Sequence, residues 1–558
     1  MLKTASKTIF DLFSILPKKY SLLIILIFSL SIISSLFDFL SIILIGKIVT
    51  LIQSKEVSQF ENIYFFSSLS MNQILICFVI ISLLAGLSKI IFTFTSTKFA
   101  AKCGGFIAKK VFSISLRQKY IEFINTNNSN ILSLINRELD NTINVLNNFF
   151  LLGSYTITSI FMISVISILI PTSLFIVLSF VPFIYIFISL ILKNRILYIS
   201  NTSSNLLQDQ MRFSRESLDM KKEISLNKNF ELFENKFFNN EIKRRLLEAE
   251  VNFKSVLPRN IIEMFFILIL LFILIFYGSS DNTFVLSTII SLAISAQKLL
   301  PSFQGIYSIT LVINAYSKSV DRIVKFLNSS KYSFSSSIED KKKIETFKKI
   351  SVRNLTYNYP YSKNSILKNL TLNIKQGEFI AIKGKSGAGK STLMDLLLGL
   401  LKDSSNSITI NDVYINECIN SWNKKIQYVG QTIFFIDDTI YQNIILGGKD
   451  KKNKSKLSYI IDKTGLENVF KTSDLTINSR VGEYGNLISR GQRQRVGISR
   501  ALYKSPNIIF LDEATNGLDF NSEKKIYQNL RDFDKLTVIA ITHSNEIDNC
   551  FDKIIKLN

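Results

Sequence analysis

A chain of 558 residues with a formal charge of +23 is long enough for two or three domains. Its mean hydropathy of +0.26 is high for a composition in which 20% of residues are charged, so the apolar residues must be segregated. The charge does not signal nucleic acid, because no basic stripe with interleaved aromatics sits on a recognisable RNA or DNA fold. Cys77, Cys103, Cys418 and Cys550 are far apart and form no CxxC pair, which excludes a disulfide framework and a zinc site.

In chain order, the opening MLKTASKTIFDLFSILPKKY is positive but lacks a small-residue cleavage site, and it reads as a short interfacial helix rather than a signal peptide. Apolar stretches then begin near Leu22, Ile74, Asn148, Thr172, Val256 and Thr283, each of about 20 residues or more and able to cross a ~30 Å hydrocarbon core as a helix. Six spans are expected. Lys98, Lys102, Lys109, Lys110, Arg117 and Lys119 follow the second span, whereas Lys55 is the only basic residue between the first two. The positive-inside rule therefore places the long basic loops in the cytosol. The turns at Pro171 and Gly278–Asn282 then lie outside, and both termini lie inside. The two cytosolic connections are polar and periodic and read as helical extensions of the spans.

Residues 1–315 are thus expected to form an all-α six-helix membrane domain, 316–344 a Lys- and Ser-rich linker, and 345–558 an α/β P-loop NTPase domain in which strands alternate with helices. In this last part GKSGAGKST, Gly384 to Thr392, follows the strand EFIAIK and precedes a helical run, the context of a phosphate loop. Backbone N–H groups of Gly384, Lys385, Ser386, Gly387, Ala388 and Gly389 would turn toward phosphate oxygens. Lys390 would reach the terminal phosphates, Ser391 would offer its hydroxyl to Mg²⁺, and Thr392 completes the motif. The apolar run NIIFLDEA ends on Asp512 and Glu513. Because adjacent strand residues point opposite ways, Asp512 is expected to hold Mg²⁺ and Glu513 to orient or deprotonate water. His543, the single histidine, follows another apolar strand, where a γ-phosphate sensor would sit.

From residue 345 onward the chain resembles the nucleotide-binding domain of ATP-binding cassette (ABC) transporters. That resemblance implies that Tyr359 stacks on adenine and that Gln431 in YVGQ senses Mg²⁺ and water. It makes Asp519 in NGLD the D-loop residue. ISRGQRQR, Ile488 to Arg495, resembles the LSGGQ signature, with Ser489, Gly491 and Gln492 retained and Arg490 where the family usually has Gly. VGEYG, Val481 to Gly485, is similar to the loop that precedes the signature in exporters. Each motif occurs once, and in the family one subunit's phosphate loop faces the other's signature across ATP, so a dimer is implied. Equal motifs favour a homodimer, with a heterodimer as the alternative.

The fused order of membrane and nucleotide parts is similar to that of ABC exporters, which implies a multi-pass protein of the bacterial plasma membrane with a cytoplasmic nucleotide-binding domain. VLPRNIIE and AQKLLPSFQGI resemble the fifth and sixth spans of lipid-linked oligosaccharide flippases. By that likeness Arg259 and Lys298, with Lys89, form a basic cavity for an anionic lipid-linked substrate. Gly305 stands where the family often has Arg. Asp38 and Glu263 are further charges within spans, costly there unless paired or lining a cavity. A multidrug or peptide exporter of the same fold and an ABC protein that gates a partner are the other readings. The implied ligands are ATP and Mg²⁺, with no nucleic acid.

Overall fold

The computed structural model describes residues 10–52, 70–125, 128–169, 172–277, 283–328, 340–360, 364–446 and 453–557. It divides into two units, Met1–Gln118 with Asn125–Phe334 and Lys119–Ile124 with Ser335–Asn558.

The first unit is built on six long helices: α1 (Ser21–Ile52), α2 (Met71–Arg117), α3 (Leu139–Leu169), α4 (Thr172–Asp219), α5 (Phe230–Tyr277) and α6 (Thr283–Asn328). Among the described residues three helices are long and apolar enough to cross a membrane, and a bent pair over Phe183–Asp219 makes a fourth. The spans expected from Val256 and Thr283 lie within α5 and α6, where many side chains fall outside the described residues. So do the side chain of Lys298 and the expected turns at Pro171 and Gly278–Asn282. Residues 10–15 of the expected interfacial helix are helical, while 1–9 lie outside. Helix α6 continues to Asn328, into the segment read as a linker, because Val320, Ile323 and Val324 keep the apolar spacing and pack in the core of this unit.

Helix α2 shows how its sequence divides between two solvents. Phe92, Phe99, Cys103, Ile107 and Val111 recur at helical spacing and are buried, whereas Leu83, Leu87, Ile90 and Phe94 are exposed. Apolar residues that lie outward along a span face hydrocarbon rather than water, so their exposure costs nothing there. The proline in α5 is also accommodated. Pro258 has no N–H to give the carbonyl of Lys254, and the Tyr307 hydroxyl donates to that oxygen at 3.1 Å. Farther along the helices, Arg322 donates to the buried Glu138 at 2.7 Å and to Ser204, and Arg137 and Arg244 both reach Glu248. These polar stretches are joined across helices, as buried charge requires.

The second unit holds a parallel five-stranded sheet in the order β6-β7-β8-β3-β9 and an antiparallel one in the order β2-β1-β4-β5. The strands are β1 (Lys349–Tyr357), β2 (Leu367–Lys375), β3 (Phe379–Gly384), β4 (Ile408–Ile410), β5 (Val413–Tyr414), β6 (Ile426–Val429), β7 (Ile508–Asp512), β8 (Thr537–Ile541) and β9 (Lys553–Leu557). Phe379, Ala381, Ile509, Leu511, Val538 and Ala540 enter one core, while Ile380, Ile382, Ile508, Phe510, Ile539 and Ile541 enter the other. Alternate residues thus face opposite sides, both covered, and the strands read as continuous apolar runs. The carboxyl ends of β3, β8 and β7 lie side by side, the edge at which ligands bind in such sheets. Tyr120 and Ile121, on a short helix (Tyr120–Asn125), pack against the second of these cores.

Candidate functional site

Strand β3 ends in the expected phosphate loop, and helix α7 (Lys390–Leu397) begins immediately after it. Gly387 and Gly389 have φ of +83° and +85°, a left-handed backbone that glycine adopts without strain. A Cβ on Gly384 would lie 2.5 Å from the Leu557 carbonyl oxygen, so only glycine lets β9 pass there. Lys385, Ser386 and Gly387 are exposed, and Lys390 turns back over the loop, its Nζ donating to the Gly384 carbonyl at 2.8 Å and the Lys385 carbonyl at 3.1 Å. A polyphosphate would offer Lys390 charged acceptors in place of these weak neutral ones, so the residues present fit it.

Strand β7 delivers Asp512 and Glu513, though not by strand alternation. The strand stops at Asp512, and Glu513 takes a left-handed backbone with φ +49°, so a turn rather than the pleat separates the two carboxylates. Glu513 Oε2 accepts from Gln431 Nε2 at 2.8 Å and from Asn516 Nδ2 at 3.1 Å. His543 Nε2 lies 3.2 Å from Glu513 Oε1. The expected trio of Glu513, Gln431 and His543 is therefore assembled, with Asn516 a fourth member that the sequence reading passed over. Its signal was its place three residues after Glu513, within reach of a one-turn hydrogen bond.

Asp512 accepts from the Tyr428 hydroxyl at 3.3 Å. Burial pushes the Asp512 carboxyl above its ordinary value; Tyr428 pulls it back, Glu513 raises it and Lys390 lowers it. Asp395, on α7, is pushed up to about 6 by burial and then by Asp512. Asp512, half-buried and near the first turn of α7 with its Ser391 hydroxyl, offers hard oxygen donors suited to a divalent cation. The amide nitrogen of Gln431, a residue expected at this metal, donates to Glu513, and its amide oxygen is left as the group that could face a cation. Tyr359, expected beneath adenine, is half-buried, and its hydroxyl lies 3.4 Å from Thr392 Oγ1.

The signature-like segment begins helix α8 (Arg490–Tyr503). Ser489 is its N-cap, accepting from Gln492 N at 3.3 Å while Ser489 N donates to Gln492 Oε1 at 2.7 Å, a capping box written in the sequence as S-x-x-Q. Asp519 likewise caps helix α9 (Phe520–Leu530), accepting from Ser522 N at 3.0 Å; that bond holds its carboxyl below the usual range. Arg490 lies against Gly517, where a Cβ would meet its Cγ at 2.8 Å, and Gln494 Oε1 accepts from Gly517 N at 2.9 Å. Among the described residues no hydrogen bond or ion pair links Ser489, Gly491 or Gln492 to residues 384–392.

Of the three cations expected to act together, the side chains of Lys89 and Arg259 are described and each meets a carboxylate. Lys89 Nζ pairs with Asp38 at 2.5 Å, and both line a cavity of about 470 Å³ with residues of α3 and α6. Arg259 pairs with Glu263 at 2.7 Å, one turn along α5, outside that lining. Two of the three charges are thereby compensated, because carboxylates at reachable positions lower the cost of each cation in a low-dielectric helix. Gly305 abuts Tyr155, and a Cβ there would come within 2.6 Å of the ring. An arginine at 305 would displace that ring, so its absence belongs to the local packing.

Comparison with known proteins adds the following. Residues 367–516 match the family described as ABC transporter. The ATP-dependent lipid A-core flippase 2 of Colwellia psychrerythraea is 38% identical over 216 residues, covering 38% of this chain and 37% of the flippase. A glutathione/L-cysteine transport system ATP-binding/permease protein, CydC, of Haemophilus influenzae is 31% identical over 210 residues, covering 37% of this chain and 36% of that protein. The matched stretch thus spans little more than a third of each relative's length. The solved structure of a bacterial Atm1-family ABC exporter with ATP bound shares the fold at a TM-score of 0.74 and 17% identity, covering 94% of this chain and 93% of its own. The apolar helices and these relatives together mark a multi-pass membrane protein. Residues 367–516 are therefore an ABC transporter domain, carried on a chain with the fold of an ABC exporter.

Proposed function

We propose that the chain is one half of an ATP-driven exporter that acts as a dimer in the bacterial plasma membrane, with the nucleotide-binding domain and both termini cytoplasmic. Its cargo is read as an amphipathic substrate moved outward, a lipid-linked oligosaccharide or related glycolipid. The observation that carries the reading is the set of donors converging on Glu513, beside a phosphate loop at the same sheet edge. Glu513 orients and deprotonates the attacking water; Gln431 and Asn516 fix one carboxylate oxygen, and His543 steadies the other. Lys390 and the loop amides hold the phosphates, while Ser391, Asp512 and Gln431 serve the Mg²⁺ ion. When bound, that ion neutralises phosphate charge. Tyr359 packs beside the base. Ser489, Gly491, Gln492 and Asp519 would act on the nucleotide of a second subunit, consistent with their separation from the phosphate loop in one chain. A homodimer suffices, since one chain carries every motif.

The lipid reading draws on the printed name of the lipid A-core flippase and on the likeness of the fifth and sixth spans. Flipping of a fluorescent pyrophosphate-linked glycolipid in reconstituted vesicles tests it. ATP-dependent flipping that stops on removal of ATP is the expected result. Movement of a neutral drug or peptide, with the glycolipid left in place, would promote the multidrug or peptide alternative.

His543→Ala is expected to lower ATP turnover by about 10²-fold, at the lower end of what a positioned proton-transfer partner contributes. The side chain is 52% exposed, so the thermal midpoint should barely move, the cost of an exposed truncation being within ~0.5 kcal/mol. A much lower midpoint with normal turnover in the folded fraction would make the histidine structural.

A further inference from the structure

We propose that Lys383 is a positioning residue for ATP hydrolysis, its ammonium fixing the segment that presents His543 to Glu513; this rests on the reading of His543 as the partner of that carboxylate. Strand β3 carries Lys383 directly before the phosphate loop. Alternation along the strand turns the side chain to the side on which Phe379 and Ala381 enter their core. The side chain is only 11% exposed, and a lysine so enclosed is rare unless it is paired. Its Nζ donates to the Ser544 carbonyl at 2.7 Å, to Asn545 Oδ1 at 2.9 Å and to Asp548 Oδ1. An ammonium has three protons to donate. One short segment, Ser544 to Asp548, takes all three, and its carboxylate makes one of the bonds charge-assisted.

Little else restrains the histidine. Strand β8 ends at Ile541, and Thr542 N still donates to the Ile382 carbonyl at 3.4 Å. At the next residue the ladder stops: among the described residues the His543 backbone makes no hydrogen bond. The imidazole is half-exposed and faces Glu513 at 3.2 Å, so packing does not fix it. Ser544 N reaches Thr542 Oγ1 at 3.1 Å, which closes the turn locally, and the buried Ile547 lies four residues on. Lys383 therefore ties the peptide immediately after His543 to the strand that leads into the phosphate loop. Glu513 is held separately, through Gln431 and Asn516. Freeing the segment should displace the imidazole and leave the carboxylate in place.

The test uses the full chain in detergent micelles, purified through a histidine-free tag, with steady-state hydrolysis of MgATP as the first readout. Lys383→Met keeps the bulk of the side chain and removes the donors. It should lower kcat by about 10- to 10²-fold, the scale of a misplaced catalytic group, with KM for ATP within about twofold. Asn545→Ala combined with Asp548→Ala loosens the same tie from its more exposed end, where truncation costs the fold little, and should lower kcat in the same way. In a His543→Ala background neither change should lower turnover further, because residues that act as a unit are not additive. A raised KM with unchanged kcat in Lys383→Met would assign the lysine to the phosphate loop and overturn the proposal. An equal further loss in the His543→Ala background would overturn it too.

A second readout needs no hydrolysis. His543 is the single histidine, so selective ¹³C labelling of histidine gives one imidazole resonance. Glu513→Gln should move that resonance in the otherwise wild-type chain and leave it in place in Lys383→Met, where the two groups no longer meet. A shift of the same size in both would overturn the proposal. A resonance that responds as expected in a chain whose His543→Ala variant hydrolyses ATP normally keeps the tie and removes the catalytic reading of the histidine. Slow turnover in His543→Ala with normal turnover in Lys383→Met does the reverse.

Discussion

Glu513→Gln is expected to bind ATP as wild type does and to lose hydrolysis by between about 10² and 10⁴, the range associated with a general base. The geometry makes this substitution an isolated one. Glu513 Oε2 accepts from Gln431 and Asn516, and Oε1 faces His543 Nε2. An amide oxygen placed at the Oε2 position keeps both of the first two bonds. The new NH₂ then faces His543, which accepts after a change of tautomer. The left-handed backbone at 513 is no worse for Gln than for Glu, so the fold should be unaffected. What disappears is the group able to take a proton. Retained nucleotide in a trapped dimer, read by size exclusion with ATP and Mg²⁺, is the companion result. ATPase activity within about threefold of wild type would remove Glu513 from the chemistry.

The parts of the site legible in the sequence were those in which contiguous residues carry both the chemistry and its context. Gly384 to Thr392 lie between a strand and a helix, so their identity and placement are read together. Tyr428 lies far from Asp512 in the chain and meets it only because β6 neighbours β7, and Asp395, on α7, is near enough for Asp512 to raise its carboxyl. No local pattern announces such a meeting. The division between Asp512 and Glu513 was expected for the wrong reason: the pleat was invoked where the backbone leaves the strand in a left-handed turn. That conformation is rare for a non-glycine residue, so sequence gives no reason to anticipate it.

The membrane unit shows a different boundary of legibility. Hydropathy finds apolar helices well because the bilayer imposes length and composition on each segment separately. It says nothing of which charges meet. Arg259 and Glu263 are one helical turn apart and could have been paired from their spacing alone, as the structure pairs them. Asp38 and Lys89 lie on different helices, and only packing of α1 against α2 brings them together. Read as separate charges, Lys89 and Arg259 gave no sign of the carboxylates they meet in the structure.

Lys390→Ala should show the opposite pattern to Glu513→Gln, with binding lost before chemistry. In the structure Nζ is bonded only to neutral carbonyls, those of Gly384 and Lys385, whereas a phosphate oxygen would offer a charged acceptor, with hydrogen bonds of that kind worth about 1.5–3 kcal/mol. Removing the amine should therefore weaken ATP binding by about 10- to 10²-fold, each 1.4 kcal/mol being a factor of ten. The folded domain should lose far less. The Lys385 residue is exposed, so water can satisfy its carbonyl, and a single neutral hydrogen bond contributes only about 1 kcal/mol. Titration with a fluorescent ATP analogue in the presence of Mg²⁺, alongside the thermal midpoint without nucleotide, separates the two effects. Lys390→Arg keeps the charge but replaces a compact ammonium by a planar fork that the narrow loop does not match, and it should recover only part of the affinity. Unchanged affinity in the alanine variant would mean that the loop amides alone hold the phosphates and that Lys390 serves the loop's own carbonyls.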